Sequence, residues 1–110
     1  MRKFHRERGD RRHFLRSLLH NLILKERMIT TPARAKETKS ALERLISTGK
    51  RGTLAAFRRL LAELPRQSAT KLYYEIAPRY KERKGGCLRI IKQMKSRKRD
   101  SAPQAIIEFV

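Results

Sequence analysis

Apolar residues recur at a helical period in the first quarter of the chain. Asp10 is the predicted N-cap of this first helix, because its carboxylate can accept hydrogen bonds from the free N–H groups of the first turn. The apolar stripe consists of Phe14, Leu15, Leu18, Leu19, Leu22 and Ile23. Arg12, Arg16 and His20 lie one turn apart on the side away from that stripe. The pattern therefore predicts a helix with one core face and one basic face.

A second helix has a clear start signal, with Thr31 as N-cap and Pro32 as the first helical residue. Gly49 is expected to end it, which gives roughly 17 residues and a length of about 25 Å. Its predicted inward positions are Ala35, Thr38, Leu42, Leu45 and Ile46, and its outward positions include Arg34, Lys36, Lys39 and Glu43. The preceding segment, from Lys25 to Thr30, is interpreted as a connector or a brief strand.

Two shorter helices follow. The third is expected to begin after Thr53 and to close at Pro65, and the fourth to begin at a Ser68 cap and end at Pro78. The third places Leu54, Phe57, Leu61 and Leu64 inward and Arg58 and Arg59 outward; in the fourth, Leu72 and Ile76 pack while Lys71 and Glu75 can pair. The adjacent Tyr73 and Tyr74 cannot both face the core. The outer one either stacks on a base or covers a helix edge.

The C-terminal stretch has the pattern of a β-hairpin. Residues 87–92 and 104–110 are short segments rich in Ile, Val and Phe, bounded by Gly85-Gly86 and by Ser-Ala-Pro. The predicted loop between them, residues 95–103, is strongly basic and carries Lys95, Arg97, Lys98 and Arg99. Such a loop is favourable next to a polyanion. Gly85-Gly86 is interpreted as a turn into the strand in preference to a phosphate cradle.

Charge decides the class of protein more than any motif does. The 110 residues, enough for a single domain, contain 29 Lys and Arg against 10 Asp and Glu, a net charge of +19. The excess is +6 over residues 1–31, +6 over 32–66 and +7 over 67–110, so it belongs to the whole body and not to a tail. Residues 1–9 form a basic arm that is expected to stay disordered until it meets a polyanion. Nucleic acid would relieve this self-repulsion.

Several other classes of protein find no support in the sequence. Cys87 is the single cysteine and is interpreted as a small apolar residue opening a strand. His13 and His20 are two helical turns apart, so no metal site is expected, and no nucleophile, phosphate loop or dinucleotide fingerprint indicates an enzyme or a cofactor. No apolar run approaches the length of a membrane span. Glu7 and Asp10 interrupt the Arg-rich start, so we expect mature protein in a reducing compartment and no transit peptide.

Segments along almost the whole chain resemble the L-seventeen family of bacterial large-subunit ribosomal proteins. The matching segments are Arg12-His13, Leu18-Leu19, Ile29-Thr30-Thr31, Arg34-Ala35-Lys36-Glu37, Leu45-Ile46, Pro78-Arg79, Gly85-Gly86, Arg89-Ile90, Asp100-Ser101-Ala102-Pro103 and Ile107-Glu108-Phe109-Val110. Departures from the family pattern are a shorter N-terminal lead, Cys87-Leu88 where Tyr-Thr is usual, and Arg99 where Gly is usual.

The resemblance implies an α+β fold of two layers, with about four helices packed on a small mixed three-stranded sheet that contains the C-terminal hairpin. The segment from Met28 to Thr30 would be the third strand. The resemblance also implies a structural role in the ribosome, and a cytoplasmic ribosome is favoured over an organellar one. The protein would bind 23S-type ribosomal RNA near the peptide exit tunnel, beside other large-subunit proteins, with no catalysis, cofactor, small-molecule substrate, membrane contact or obligate homo-oligomer.

The candidate RNA contacts are the cations of the arm, the first turns of helices one and two, and the C-terminal third. They are Arg2, Lys3, Arg6, Arg8, Arg11, Arg12, His13, Arg16, Arg34, Lys36, Arg79, Lys81, Arg83, Lys84, Arg89, Lys92, Lys95, Arg97, Lys98 and Arg99. In folded RNA such contacts follow backbone shape more than base sequence.

Three alternatives remain open from the residues alone. A winged-helix DNA-binding regulator also has helices followed by a basic hairpin, and would show sequence-selective duplex binding by a dimer. A cationic membrane-surface protein would use the first helix, whose stripe is needed for the core. An RNA-modifying enzyme is disfavoured because no convergent catalytic site can be assembled.

Overall fold

A computed structural model of the protein describes residues 7–94 and 96–110. In chain order the elements are α1 (Arg8–Lys25), β1 (Arg27–Thr30), α2 (Pro32–Gly49), α3 (Leu54–Glu63), α4 (Arg66–Lys71), a π-helical segment (Leu72–Ile76), α5 (Ala77–Arg79), β2 (Leu88–Lys92) and β3 (Ala105–Phe109). The fold is α+β, as predicted, with the helices packed on a three-stranded sheet whose C-terminal strands form the hairpin.

The sheet has the order β1-β3-β2, so the last strand lies in the middle. Both pairings are antiparallel, and the expectation of a mixed sheet is wrong. The hairpin makes β2 and β3 antiparallel, and β1 lies on the free side of β3, also running against it. In register, Ile107 of β3 faces Met28 on one side and Ile90 on the other. The predicted third strand near Met28 is confirmed.

Helix α2 occupies the centre of the fold. It packs against β2 and β3 of the sheet and against α1, α3 and the π-helical segment. The Thr31 side chain accepts from the Arg34 N–H, and Pro32 is in the first turn, so the predicted start is confirmed. Gly49 is the last residue of α2, as a predicted stop requires, but it does not adopt the left-handed conformation of a typical C-terminal glycine. A Cβ built there would lie 3.1 Å from the Ala77 Cβ, so glycine permits close approach of two helices.

Helix α1 begins earlier than predicted, at Arg8, with Glu7 in the N-cap position. The Arg11 N–H donates to the Glu7 carbonyl at 2.8 Å. Asp10 is therefore not the cap. Its negative charge lies in the first turn, where it interacts favourably with the positive end of the helix dipole and stabilises the helix. Four of the six residues of the predicted apolar stripe are confirmed, since Leu19, Leu22 and Ile23 are buried and Leu15 packs against the same core. Phe14 and Leu18 are half-buried and are not among the core residues.

The inward face of the third helix differs in part from the predicted one. Leu64 is buried, as predicted, and Phe57 is half-buried. Thr53 does cap it, accepting from the Ala56 N–H at 3.1 Å. Leu60 is fully buried, whereas Leu54 is 63% exposed and Leu61 is also exposed. The buried side of α3 consists of Ala56 and Leu60, so the helix is rotated relative to the expectation. Ala56 contributes little to the periodicity of large apolar residues from which the inward face was predicted. Its small side chain nevertheless lets α3 approach its neighbours closely.

The fourth predicted helix starts and ends differently. It begins at Arg66, and buried Ser68 donates its hydroxyl to the Pro65 carbonyl within the helix, so Ser68 is not the cap. Pro78 does not end the run, which continues to Arg79 through the π-helical segment. The Ala77 N–H donates to the Leu72 carbonyl, five residues back. This wider turn accommodates the proline ring, which would clash with a carbonyl of a regular α-helix.

Candidate nucleic-acid interface

Every Lys and Arg in the described part of the chain reaches solvent, and none is fully buried. Of the twenty predicted contact residues, Arg2, Lys3, Arg6 and Lys95 lie outside the described residues. The structure divides the others into cations that are held by internal contacts and cations that face solvent without an ion pair. This division could not be made from the sequence.

The N-terminal half of α1 carries the first group of exposed cations. Arg8, Arg12 and Arg16 are spaced four residues apart and all are exposed. Arg12 and Arg16 thus agree with the predicted basic face, whereas its third member, His20, is half-buried. Arg12, His13 and Arg16 line a groove between α1 and the end of α3, where Glu63 lies on the opposite wall. The planar guanidinium groups of Arg12 and Arg16 are of the kind that makes bidentate contacts with phosphate.

Arg34 is half-buried and has an internal contact. Its guanidinium lies over the Phe14 ring, 4.9 Å from the centroid, and so connects α2 to α1. Arg11 is also half-buried, and its enclosed Nε has no hydrogen-bond partner among the described atoms. Both residues are therefore less accessible to a partner than the exposed cations of α1.

Glu26 joins the end of α1 to the fourth helical run. Its carboxylate pairs with Arg79 and, at 3.4 Å, with Lys71, which also donates to the Leu24 carbonyl at 2.9 Å. The hydrogen bond from Arg79 lowers the pKa of Glu26, and the same bond raises the pKa of Arg79. The Lys71 pair expected with Glu75 is thus replaced by a pair with a residue 45 positions away. Arg79, a predicted RNA contact, is therefore engaged in an internal ion pair with Glu26.

A charged row crosses the outer side of the sheet. Glu108 of β3 accepts from Arg89 of β2 at 2.8 Å and lies 3.6 Å from Arg27 of β1. These three residues are directly opposite one another in the strand register. Arg89, a predicted RNA contact, is therefore held by an internal ion pair, although its side chain remains exposed.

The hairpin loop, residues 93–104, has an internal structure of its own in its described part. The Arg97 guanidinium donates to both carboxylate oxygens of Asp100, and the Ala102 N–H donates to Oδ1 at 3.2 Å. The Arg97 N–H donates to the Ala102 carbonyl, and the Ser101 N–H to the Arg97 carbonyl, both at 3.0 Å. The Ala102 amide is the main reason why the pKa of Asp100 is lowered. These bonds leave Lys98 and Arg99 exposed at the turn.

The remaining predicted cations are exposed and have no ion pair among the described residues. They are Arg8, Arg12, Arg16, Lys36, Lys81, Arg83, Lys84, Lys92, Lys98 and Arg99. Arg83 donates from Nε to the Gly85 carbonyl at 3.2 Å, within the turn that precedes β2. Gly85 and Gly86 have φ values of 151° and 64°, so the predicted glycine turn is confirmed.

Arg44 and Lys50 are among the cations that were absent from the predicted set. Both line a groove between α2 and residues 84–87, together with Lys84 and the acids Glu37 and Glu43. Lys50 Nζ also donates to the Arg83 carbonyl. Helical spacing could not identify these two residues as neighbours of Lys84. They lie beside it because the chain returns from α5 towards β2, which is a tertiary contact.

The described residues show no features of a metal or redox centre. No group of three His, Cys, Asp or Glu side chains among them is placed to hold a metal ion. Cys87 is 2% exposed at the start of β2, and burial raises the pKa of its thiol. None of the helices in residues 7–94 and 96–110 has both the length and the apolar character that crossing a membrane requires.

These observations define a small α+β protein whose described lysines and arginines all reach solvent, with helices on an antiparallel sheet and a structured basic hairpin loop. The chain belongs to the ribosomal protein L17 family, whose model matches residues 14–110. The family resemblance read from the sequence is thereby confirmed.

Curated relatives match over nearly the full length. The chain is 47% identical to the large ribosomal subunit protein bL17 of Caldanaerobacter subterraneus, covering 99% of this chain and 97% of the relative. It is 47% identical to the protein of the same name from Thermodesulfovibrio yellowstonii, with 99% and 82% covered. For the bL17 protein of Halalkalibacterium halodurans the identity is 43%, with 98% and 97% covered.

Proposed function

We propose that this protein is a structural constituent of the large ribosomal subunit and that its exposed cations bind the 23S-type RNA of that subunit. The proposed role involves neither catalysis nor a cofactor. Membership of the L17 family supports the assignment to the ribosome. The proposal also includes a cytoplasmic ribosome, a position near the peptide exit tunnel and contacts with neighbouring large-subunit proteins, as the family resemblance implies.

One observation carries the RNA-binding part of the proposal: all described cations reach solvent, while few acids oppose them. Glu26, Asp100 and Glu108 together pair with five cations, and the exposed arginines of α1 and the tip of the hairpin loop are left for a partner. A net charge of +19 on 110 residues repels itself unless a polyanion neutralises it. RNA phosphates do so and release condensed counterions.

The salt dependence of binding tests this mechanism. If roughly 6 to 10 phosphates are neutralised, log affinity for large-subunit RNA should fall with log salt concentration with a slope on the order of −5 to −9. An affinity that does not change with salt would contradict the mechanism. Tight, sequence-selective binding to duplex DNA by a dimer would instead indicate a winged-helix regulator.

Incorporation into the ribosome tests the role itself. A tagged chain should sediment with large subunits from a lysate in high salt, and the double substitution Lys98→Glu with Arg99→Glu should reduce that fraction. Arg58→Glu with Arg59→Glu makes the same change in charge on the exposed side of α3 and is the matched control. Circular dichroism should show the same helix content in both variants. Recovery of the unaltered chain only as free protein would refute the ribosomal role.

A further inference from the structure

Three aromatic side chains form a cluster at the surface between α3 and the π-helical segment. The rings of Phe57 and Tyr73 are stacked, with centroids 4.8 Å apart and planes 11° apart. Tyr74 is nearly perpendicular to both, with its centroid 4.9 Å from that of Tyr73 and 5.6 Å from that of Phe57. Tyr73 also packs against the hydrophobic core. The cluster therefore holds the Tyr74 ring in one orientation, although 62% of this residue is exposed.

Tyr73 and Tyr74 line a shallow hollow that also has cations at its edge. Pro78 contributes to its wall, and Lys50 and Lys81 belong to its lining. None of the described residues that line the hollow carries a carboxylate. Lys50 is held in place by its hydrogen bond to the Arg83 carbonyl, while Lys81 is exposed. An aromatic surface and two lysine residues thus line the same hollow.

This combination matches the chemistry of a nucleotide. A nucleobase has a planar π surface that stacks on tyrosine, and the phosphate attached to it carries the negative charge that lysine neutralises. An apolar protein segment could cover Tyr74, but it would leave the exposed Lys81 without an anion. The lining therefore favours a nucleotide over a protein side chain.

We propose that Tyr74, supported by Phe57 and Tyr73, is a stacking site for an unpaired base of RNA, with Lys50 and Lys81 beside the phosphates of that nucleotide. The inference rests on the proposed RNA-binding function and adds a base contact to the proposed phosphate contacts. Base stacking on an aromatic ring tolerates any base, since every base has a π surface. The site would thus prefer unpaired over paired nucleotides without selecting a sequence.

Two probes of equal charge separate stacking from phosphate binding. One is an oligouridylate of about ten nucleotides, and the other is a ribose-phosphate chain of the same length without bases. The full-length protein should bind the probe with bases about tenfold more tightly, which is the size of one base–aromatic stack. Equal affinity for the two probes would overturn the stacking site but leave phosphate binding intact. Loss of binding to both would overturn the proposed RNA-binding function as well.

Two substitutions then assign the preference to Tyr74. Tyr74→Phe keeps the aromatic ring and should keep the preference for the probe with bases. Tyr74→Leu keeps an apolar side chain but removes the ring; it should abolish the preference while binding of the probe without bases is unchanged. If Tyr74→Leu retains the preference, the base contact is elsewhere and the proposal is wrong. In that case the exposed ring is better explained as part of a surface for a protein neighbour.

Discussion

Arg97 and Asp100 form a two-point contact across the hairpin loop, from Nε to Oδ1 at 3.1 Å and from Nη2 to Oδ2 at 2.7 Å. An acid within the most basic region of the chain would ordinarily be expected to weaken attraction for RNA. Here the carboxylate also accepts from the Ala102 N–H and so fixes the path of the loop around Lys98 and Arg99. Asp100 is therefore a positioning residue, and Arg97 belongs to the loop structure as much as to any RNA contact.

Asp100→Asn should lower the affinity for large-subunit RNA, although it raises the net charge by one. The expected loss is a few-fold, because the neutral amide weakens the contacts to Arg97 and to the Ala102 N–H that order the loop. Filter binding at fixed salt measures the effect. Glu82→Gln, which makes the same change in charge at another exposed acid, is the control and should not weaken binding. Tighter binding of Asp100→Asn would show that only net charge matters.

The loop should also depend on pH in a defined direction. Since the pKa of Asp100 is lowered in the folded protein, its contribution to loop order is complete above the ordinary pKa of an aspartate. That contribution is lost as pH falls through the lowered value. The amide resonance of Ala102, followed by NMR during acid titration, should shift in that acidic range. In Asp100→Asn the shift should be absent; if it persists, another group is responsible.

Glu26 combines an ion pair with an unfavourable backbone conformation, since its φ is 62°. Glu26→Gly removes the carboxylate but adopts this φ easily, whereas Glu26→Ala removes the carboxylate and retains the strain. We therefore expect the alanine variant to unfold with a free energy about 1 kcal/mol lower than the glycine variant. Urea denaturation of both, compared with the unaltered protein, measures this difference. Equal stability of the two variants would show that the backbone at residue 26 is not strained.

Truncation of two leucines of α3 should have very different effects on the free energy of unfolding. Leu60→Ala is expected to lower the free energy of unfolding by about 2–5 kcal/mol, because Leu60 is fully buried and a cavity would remain. Leu54→Ala should change it by less than about 0.5 kcal/mol, because this residue is 63% exposed. Thermal and urea unfolding of the two variants compare them directly. A large effect of Leu54→Ala would indicate that the orientation of α3 described above is incorrect.

The predictions for the inward face of α3 and for the ends of the fourth helix were wrong for specific physical reasons. A helical period identifies an apolar stripe, but in α3 it could not weigh the small Ala56 against Leu54 and Leu61, which are larger and exposed. A serine or a proline has several roles in a helix, and only the surrounding turns decide among them. Thus Ser68 bonds within its helix, and Pro78 is accommodated by a π turn.

The sequence by itself determined the helices, the starts of α2 and α3, the hairpin, the basic character of the whole chain and the family. These depend on interactions within one or two turns, on summed charge and on matched segments, all of which are visible along the chain. Only the tertiary structure decided which cations are paired, since Glu26 is 45 residues from Lys71 and 53 from Arg79. It likewise brought Phe57 to Tyr73 and Tyr74, because such contacts depend on how helices and strands pack.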